Sequence, residues 1–292
     1  MEFPPSKTQF LTGEVSTSFE KSSFLIVPIP YEKTTSYMRG TAMGPAAILS
    51  ASLQLEFYDE ETKGETCKKG IYTLKPFPIS KNTTTFFQNL KSFSKKIANS
   101  FQGVPFFLGG EHSISQAIIP PFAEKHKHLS VLHFDAHADL RSEYEESPRN
   151  HACAMYPISK ICKLVQIGIR NVAPEEKDLI NAANVKTYLM HENLNFNKLA
   201  EKILSALTEN VYISIDVDGF DPSVMPGTGT PQPGGFMWYD ALNIFKKVIS
   251  EKRIVGIDIV EVMPLKNVPI TEFAAAKLIY KLMGYFGSAE KP

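Results

Sequence analysis

The 292-residue sequence lacks several features that would each indicate a particular class of protein. It has only three cysteines, Cys67, Cys153 and Cys162, whose odd number and irregular spacing suit neither a disulfide framework nor a cysteine-based metal site. No apolar run approaches the roughly 20 residues of a membrane-spanning helix. The first ten residues, MEFPPSKTQF, also lack the basic and then apolar order of a signal peptide. We therefore expect a protein of a reducing, cytoplasmic compartment.

The sequence also lacks an excess of charge of either sign, since 31 Lys and Arg residues balance 31 Asp and Glu residues. This balance argues against a broad surface for nucleic acid or for acidic membranes. Apolar residues make up 43% of the chain, enough for a large α/β domain. No linker, repeat or low-complexity segment divides the chain, so we expect residues 1–292 to form a single domain. The Pro- and Gly-rich stretch 221–235 is interpreted as an ordered functional loop.

Short apolar runs rich in Val, Ile and Phe alternate along the chain with segments of helical period. Continuous rather than alternating apolar runs are typical of strands buried on both faces of a parallel sheet. The predicted strands cover residues 23–30, 104–110, 130–135, 164–170, 185–190, 211–218 and 253–262. The predicted helices cover residues 44–58, 85–101, 113–126, 174–184, 195–210, 238–252 and 272–286. This order indicates an α/β fold with a doubly wound, mostly parallel sheet.

Polar side chains follow four of the predicted strands, at the edge where an open α/β sheet binds its ligands. The most specific motif is HFDAHADLR (133–141), which places two carboxylates and an imidazole at alternate positions after a buried strand. Burying such a cluster is costly unless a cation lies within it. The candidate metal ligands are His112, Asp135, His137, Asp139, Asp216 and Asp218. Two further carboxylates, Asp258 and Glu261, lie toward the end of the last predicted strand.

The number and type of these ligands indicate which metal they would hold. Six side chains without a thiolate are too many for one tetrahedral zinc ion. Four carboxylates balance the charge of two divalent ions, and a mixture of carboxylate and imidazole suits Mn²⁺. Two ions about 3.5–4 Å apart, joined by bridging carboxylates, would lower the pKa of a bound water. The sequence therefore predicts metal-assisted hydrolysis.

With these residues identified, the sequence resembles the ureohydrolases, the family of arginases and agmatinases, over nearly its whole length. The motifs that carry the resemblance are RGTAMGPAAI (39–48), LGGEHS (108–113), HFDAHADLR (133–141), NHACAM (150–155), QIGIR (166–170), SIDVDGFDPSVMPGTGTPQPGG (214–235) and GIDIVEVMP (256–264). Within the family, HADLR, HAC and TPxPGG are most similar to agmatinases.

The resemblance implies a three-layer αβα sandwich with about eight strands and a binuclear manganese centre. It assigns one ion to His112, Asp135, Asp139 and Asp216, and the other to Asp135, His137, Asp216 and Asp218. It makes His151 the acid/base histidine, which agrees with the usual role of imidazole near neutral pH. It makes Glu261 the carboxylate that binds the guanidinium group. Asp258 is either a support for the metal ligands or a plain structural residue.

The activity that the resemblance implies is hydrolysis of agmatine to putrescine and urea, a step of polyamine biosynthesis, by a closed homo-oligomer, a trimer or a hexamer. Two positions depart from many agmatinases: Tyr156-Pro157 stands where a pair of arginines is common, and Gln232 where some relatives have Glu. Neither position is a predicted metal ligand, so the departures bear on the substrate tail or on assembly.

Several alternatives to agmatine hydrolysis stay open. The same chemistry could act on guanidinobutyrate, guanidinopropionate, arginine or formiminoglutamate. A zinc deacetylase on a related scaffold would need one metal and fewer ligands, and a member without activity would bind metal without turnover. Tyr31, Met225 and Trp238 are candidates for the tail pocket or for packing. No catalytic role is assigned to His126, His128, His133 and His191.

Overall fold

A computed structural model describes residues 3–12 and 17–287 of the chain, and its centre is a sheet of eight parallel strands. The strands are β1 (Phe24–Ile29), β2 (Ile71–Thr73), β3 (Val104–Gly109), β4 (Ser130–Phe134), β5 (Lys163–Ile167), β6 (Val185–Tyr188), β7 (Asn210–Asp216) and β8 (Arg253–Val260). Their order across the sheet is β2-β1-β3-β8-β7-β4-β5-β6. The prediction of a central, mostly parallel sheet is confirmed.

Within the described residues, seven helices cover the two faces of this sheet. They are α1 (Gly44–Ser52), α2 (Thr83–Ser100), α3 (Ser115–Lys125), α4 (Tyr156–Ser159), α5 (Phe196–Ala206), α6 (Trp238–Glu251) and α7 (Ile270–Tyr285). Asn82 and Asn195 begin α2 and α5 by accepting a backbone N–H three residues later, as helix-capping side chains do. A small antiparallel hairpin, Tyr58–Asp59 with Gly64–Glu65, precedes β2.

Two separate apolar cores lie on opposite faces of the sheet, which gives the three layers. In β1, Phe24 and Ile26 pack into the core beneath α1, α5, α6 and α7, whereas Leu25 and Val27 pack into the core beneath α2, α3 and α4. Every residue of β1 is buried. This explains the continuous apolar runs, because both faces of a covered parallel strand need apolar side chains.

Two parts of the sequence prediction were wrong. The helix expected over 174–184 is only a 3-10 turn, Pro174–Glu176, followed by irregular turns. The buried side chain of Glu176 accepts hydrogen bonds from the backbone N–H groups of Ala173 and Leu140, so the segment is shaped by tertiary contacts rather than by helical period. The sequence prediction also missed strand β2. This strand has only three residues and lies at the edge of the sheet, where it pairs with β1 alone.

The topology brings together the strands that carry the candidate ligands. The four central strands of the sheet, β3, β8, β7 and β4, are neighbours, and all run in the same direction. Their carboxyl ends therefore meet at one edge, where α/β sheets bind ligands. Among the described residues, no helix combines the length and hydrophobicity needed to cross a membrane.

Candidate metal centre and active-site pocket

The six candidate metal ligands meet at the carboxyl edge of the four central strands. His112 begins the short 3-10 turn after β3, and Asp216 ends β7 with Asp218 two residues beyond it. Asp135, His137 and Asp139 follow β4, separated by Ala136 and Ala138, which are fully buried. The alanines leave room for three polar side chains in a segment of five residues.

One group of ligands surrounds His112, whose side chain is almost completely buried. Its Nδ1 atom lies 3.1 Å from Asp139 Oδ2, 3.2 Å from Asp135 Oδ2 and 3.4 Å from Asp216 Oδ2. This nitrogen is also a buried polar atom for which no hydrogen-bond partner is found among the described residues. Three carboxylate oxygens around one imidazole nitrogen leave a space between them that suits a cation.

The hydrogen bonds on the opposite side of the His112 ring indicate which nitrogen carries the proton when the ring is neutral. Ser214 Oγ donates to Asp258 Oδ1 at 2.7 Å, so the hydroxyl is free to accept from His112 Nε2–H at 3.0 Å. Ser115 Oγ also donates to Asp258, at 3.1 Å, and Asp258 is fully buried. A hydrogen bond of this kind behind a metal-binding histidine fixes the ring and leaves the lone pair of Nδ1 for the metal.

A second group of ligands surrounds His137. Its Nδ1 atom lies 2.9 Å from Asp218 Oδ2 and 3.6 Å from Asp135 Oδ1. Asp135 thus points one oxygen at each histidine, as a bridging carboxylate does between two metal ions. Asp216 directs Oδ2 toward His112, and its Oδ1 accepts the backbone N–H of Asp218 at 2.9 Å.

The electrostatics of these residues test whether metal ions fit. Burial raises the pKa of Asp216 well above its usual value, and Asp218 and Asp135 raise it further. Burial also raises the pKa of Asp218, even though His137 opposes the effect. Burial lowers the pKa of His112, but contacts with Asp135, Asp139 and Asp216 raise it well above the usual value. In the absence of metal the site therefore attracts protons, and divalent cations would satisfy the same oxygens. The donor set fits two ions.

His133, to which the sequence analysis assigned no catalytic role, contacts the centre. Its Nε2 lies 2.8 Å from Asp135 Oδ2, and its Nδ1 lies 2.9 Å from Gln166 Nε2. Because Gln166 Nε2 is a donor, His133 Nδ1 accepts and Nε2 carries the proton that is donated to Asp135. Thr187 completes the chain by donating to Gln166 Oε1 at 2.8 Å. The alternation of side chains along a strand is the signal for this contact, because His133 and Asp135 are two residues apart.

Two residues of the site have backbone conformations that side-chain-bearing residues rarely adopt. Asp139 has φ 53° and Glu261 has φ 62°, both in the left-handed region. Such conformations cost about 1–3 kcal/mol and are found where function requires them. The backbone carbonyl of Asp139 also accepts the N–H groups of Met155 and Tyr156, at 3.0 and 3.2 Å, which connects the segment after His151 to the loop that carries three candidate ligands.

Glu261 lies in the pocket beside the metal ligands and is 7% exposed. Its Oε1 accepts the backbone N–H of His112 at 2.7 Å. Burial raises the pKa of Glu261 well above its usual value, and the nearby Glu111 raises it further. A guanidinium group bound there would compensate this concentration of negative charge.

His151 borders the same pocket from a different direction. The NHACAM segment forms a 3-10 turn, His151–Cys153, capped by Asn150, whose side chain accepts the N–H of Ala152 at 3.0 Å. The His151 ring is half-buried and lies between Thr34 and Ser36, with Nδ1 3.4 Å from Thr34 Oγ1 and Nε2 3.5 Å from Ser36 Oγ. His151, Glu261 and five of the six candidate metal ligands, all except Asp135, therefore line one cavity.

The rim of the pocket contains residues that the sequence analysis did not select. They are Tyr37, Met38, Arg141, Tyr144, Asn171 and Glu176. The Arg141 guanidinium stacks 4.3 Å above the Tyr144 ring, and its Nε pairs with Glu175 Oε1 at 3.1 Å. These residues belong to loops with mixed polarity, so no periodic pattern marks them in the sequence.

The other residues considered from the sequence lie at varied distances from the pocket. Gln232 lines it, with Nε2 3.5 Å from His137 Nε2, whereas Tyr156 and Pro157 begin α4. Tyr31 stacks on Phe86, Trp238 stacks on Phe220, and Met225 is fully buried. None of these three is among the residues that line the pocket, so packing is the correct interpretation for them.

A parallel α/β sheet with an acidic, histidine-containing cluster at its carboxyl edge defines the class of metal-dependent α/β hydrolases. The model of the arginase family matches residues 22–284, and the chain belongs to this binuclear-metal family. It is accordingly a ureohydrolase of the agmatinase-like kind, a hydrolase of guanidino C–N bonds. The resemblance noted in the sequence is confirmed, as is the arginase-like fold.

Individual relatives cover nearly the whole chain. It is 38% identical over 298 aligned residues to an N(1)-aminopropylagmatine ureohydrolase of Synechocystis sp., covering 99% of this chain and 97% of the relative. It is 30% identical to an agmatinase of Pyrococcus horikoshii, covering 92% and 94%. The crystal structure of the agmatine ureohydrolase of Thermoplasma volcanium is similar with a TM-score of 0.88 at 27% identity, covering 98% and 96%.

Proposed function

We propose that this chain removes the guanidino group, as urea, from a linear cationic guanidine, with N(1)-aminopropylagmatine as the preferred substrate. The observation that carries the proposal is one pocket lined by Glu261, His151 and five of the six candidate metal ligands, His112, His137, Asp139, Asp216 and Asp218. The choice of substrate is supported by the 38% identity to a relative of that name. Agmatine, the substrate expected from the sequence motifs, is the second candidate, supported by the agmatinase relative.

We propose two Mn²⁺ ions as the cofactor. His112, Asp135, Asp139 and Asp216 would hold one ion, and Asp135, His137, Asp216 and Asp218 the other. When bound, the ions would supply a water of lowered pKa and positive charge next to the scissile carbon. Mn²⁺ is preferred over Zn²⁺ because the ligands are carboxylates and imidazoles with no thiolate.

Glu261 would orient the guanidinium. One of its oxygens is already held by the N–H of His112, and the other lies on the side of Gly229, 3.9 Å from the position that a Cβ on this glycine would take. A side chain at residue 229 would therefore extend into the space before the carboxylate. The planar guanidinium can donate two parallel N–H groups to a carboxylate, which fixes its plane relative to the attacking water.

His151 would carry a proton to the amine that leaves. The overall reaction converts a guanidinium and one water into urea and an ammonium group, so both hydrogens of the water end on the departing nitrogen. As the C–N bond breaks, the leaving nitrogen takes a proton from the imidazolium of His151. An imidazole suits this step because it gains and loses a proton near neutral pH.

The first experiment is a substrate panel with the Mn²⁺-loaded protein. N(1)-aminopropylagmatine, agmatine, arginine, guanidinobutyrate and guanidinopropionate are assayed for urea, and formiminoglutamate for loss of substrate. We expect the highest kcat/KM with N(1)-aminopropylagmatine and a lower value with agmatine. Release of urea only from a different guanidine would support the proposed reaction but reject the proposed substrate. No turnover of any compound in the panel would reject the proposed function.

The metal content separates this proposal from a deacetylase. We expect two manganese ions per chain by elemental analysis of the active protein. One zinc ion per chain, together with release of acetate from an acetylated amine, would favour the deacetylase instead.

We also propose that the chain forms a closed homo-oligomer, a trimer or a hexamer. An apolar groove between α1, α6 and α7 is lined by Val224, Trp238, Ile270 and Phe273. Ile270 and Phe273 are 49% and 41% exposed in the single chain, which is unusual for large apolar side chains next to one another. Sedimentation analysis tests the prediction, and a monomer at micromolar concentration would contradict it.

A further inference from the structure

A buried carboxylate that is not a candidate metal ligand, Glu111, lies behind the active-site pocket. Glu111 is fully buried, and it does not pair with a cation among the described residues. It accepts hydrogen bonds from four donors instead: the backbone N–H of Lys33 at 2.5 Å, the N–H of Thr34 at 2.6 Å, the Thr34 hydroxyl at 2.8 Å and the Ser113 hydroxyl at 2.5 Å. Four donors satisfy the lone pairs of a carboxylate. In its ionised form Glu111 is an acceptor in each of these contacts.

This arrangement determines the direction of the Thr34 hydroxyl. A hydroxyl has one proton and two lone pairs. Because an ionised Glu111 can only accept, the Thr34 proton is directed to Glu111 Oε1, and only the lone pairs of Oγ1 remain for other groups. One lone pair accepts the backbone N–H of His151 at 3.0 Å. The other faces Nδ1 of the same histidine at 3.4 Å.

We propose that Thr34 and Glu111 are positioning residues that hold the proton of neutral His151 on Nδ1 and so leave Nε2 available to the substrate. Thr34 Oγ1 cannot donate to Nδ1, so the contact is favourable only when Nδ1 carries the proton. The inference rests on the proposed role of His151 in proton transfer. It specifies Nε2 as the nitrogen that transfers the proton, and Thr34 and Glu111 as the residues that select this nitrogen.

The proposal has a direct consequence for turnover. The imidazolium gives its Nε2 proton to the departing amine, and the ring returns to the neutral form that is protonated at Nδ1. Nε2 is then ready to take the next proton from water. Without the Thr34 hydroxyl, the neutral ring could carry its proton on Nε2, and this form would present no lone pair there. Thr34 itself is absent from the residues that line the pocket, so substrate binding need not change.

The test uses variants of the full chain loaded with metal. Thr34→Val removes the hydroxyl with little change of shape, and Thr34→Ser restores it. Thr66→Val is the matched control, because Thr66 is also a buried threonine and is not among the residues that line the pocket. Urea release gives kcat and KM. Long-range ¹H–¹⁵N spectra of histidine in protein loaded with diamagnetic Mg²⁺ identify the protonated nitrogen, with His151 assigned by the loss of its signals in His151→Asn.

We expect the wild-type spectrum to show neutral His151 protonated at Nδ1, and Thr34→Val to shift the ring toward the Nε2-protonated form. We expect kcat to fall about 10-fold in Thr34→Val with KM within about two-fold, and Thr34→Ser to recover most of it. A wild-type His151 protonated at Nε2 would overturn the proposal even if Thr34→Val failed to fold. An unchanged spectrum and kcat in a folded Thr34→Val would also overturn it. Failure of the proposed function is a separate result, since wild-type protein would then release no urea while the spectrum could still be read.

Discussion

The side of the pocket that carries the candidate metal ligands, called the metal-binding side below, and the rim of the pocket are built in different ways. The metal-binding side uses the ends of four neighbouring strands, and His112, Asp135 and Asp216 there are almost completely buried. The rim consists of loops, where Tyr37 is 75% exposed and Arg141 is half-buried. A rigid sheet edge holds ligands to fixed distances, whereas loops can change without disturbing the sheet. The comparison suggests that the chemistry is set by the sheet and the choice of tail by the loops.

The largest expected effect follows from removing the carboxylate that faces both histidines. In Asp135→Asn we expect kcat to fall by at least about 10³-fold and the metal content to drop below two ions per chain. The physical reason is that His112 and His137 lose their shared anionic partner. Elemental analysis and urea release measure both effects. The control is Asp178→Asn, at an exposed aspartate. Full metal content with normal turnover in Asp135→Asn would contradict the assignment of Asp135 to the metal-binding side.

A smaller effect is expected one contact further from the metal. His133→Asn removes the imidazole that donates to Asp135 Oδ2. Loss of such a support lowers metal affinity by about 10- to 100-fold. Titration with Mn²⁺ under competition from a chelator gives the affinity. His191→Asn, at a side chain that is 75% exposed, should leave it unchanged, and an equal loss in both variants would remove His133 from the metal-binding side.

The metal-binding side should also determine how stability depends on pH. Burial lowers the pKa of His137, but Asp218 and Asp135 raise it well above the usual value. The pKa of His112 is also raised well above its usual value. Above about pH 6.5 the folded metal-free chain therefore binds more protons than the unfolded chain, so this stabilisation is lost as the pH rises through the folded pKa values. We expect the Tm of metal-free protein to fall by roughly 5 °C between pH 6.5 and pH 9.

The same calorimetric series with Mn²⁺ is the control for this prediction. Bound ions replace the protons, so the fall in Tm should be smaller when the metal is present. A Tm of the metal-free protein that stays constant or rises over this range would show that the pKa values of these two histidines are not raised in the folded state.

The smallest expected effect concerns the rim. Glu175→Gln removes the carboxylate that pairs with Arg141, and exposed pairs of this kind contribute little to stability. The uncompensated Arg141 would repel a cationic tail, so we expect KM to rise about two- to three-fold at low salt with kcat unchanged. Glu192→Gln, at another exposed glutamate, is the control. A change in kcat or in metal content instead would place Glu175 with the metal-binding side.

The same contrast explains how much could be predicted from the sequence. The metal-binding side follows from long apolar runs that end in Asp and His, because strand burial and ligand chemistry both leave clear patterns. The sequence also identified His151 and Glu261 as candidates through the family resemblance, and the structure places both at the pocket. Their roles stay predictions until they are measured.

The parts that were missed depend on tertiary contacts. The turn at Pro174–Glu176 has residues compatible with a helix, yet the buried Glu176 side chain bonds to Leu140 and Ala173 and prevents regular structure. His133 has an informative position two residues before Asp135, but a histidine within a strand has many possible partners. Arg141 and Tyr144 reach the pocket only because of the path of their loop.

The backbone connection between Asp139 and the segment after His151 has a consequence for protein engineering. The carbonyl of Asp139 accepts the N–H groups of Met155 and Tyr156, so a candidate metal ligand and the segment that follows His151 share one scaffold. A designer who wished to transplant the histidine into another fold would need to transfer residues 135–156 as a single module. Recombination points within this module would separate parts that depend on each other's geometry. The loop 171–176 would have to move with it, because Glu176 accepts the backbone N–H of Leu140 and Asn171 donates its N–H to the carbonyl of Ala136.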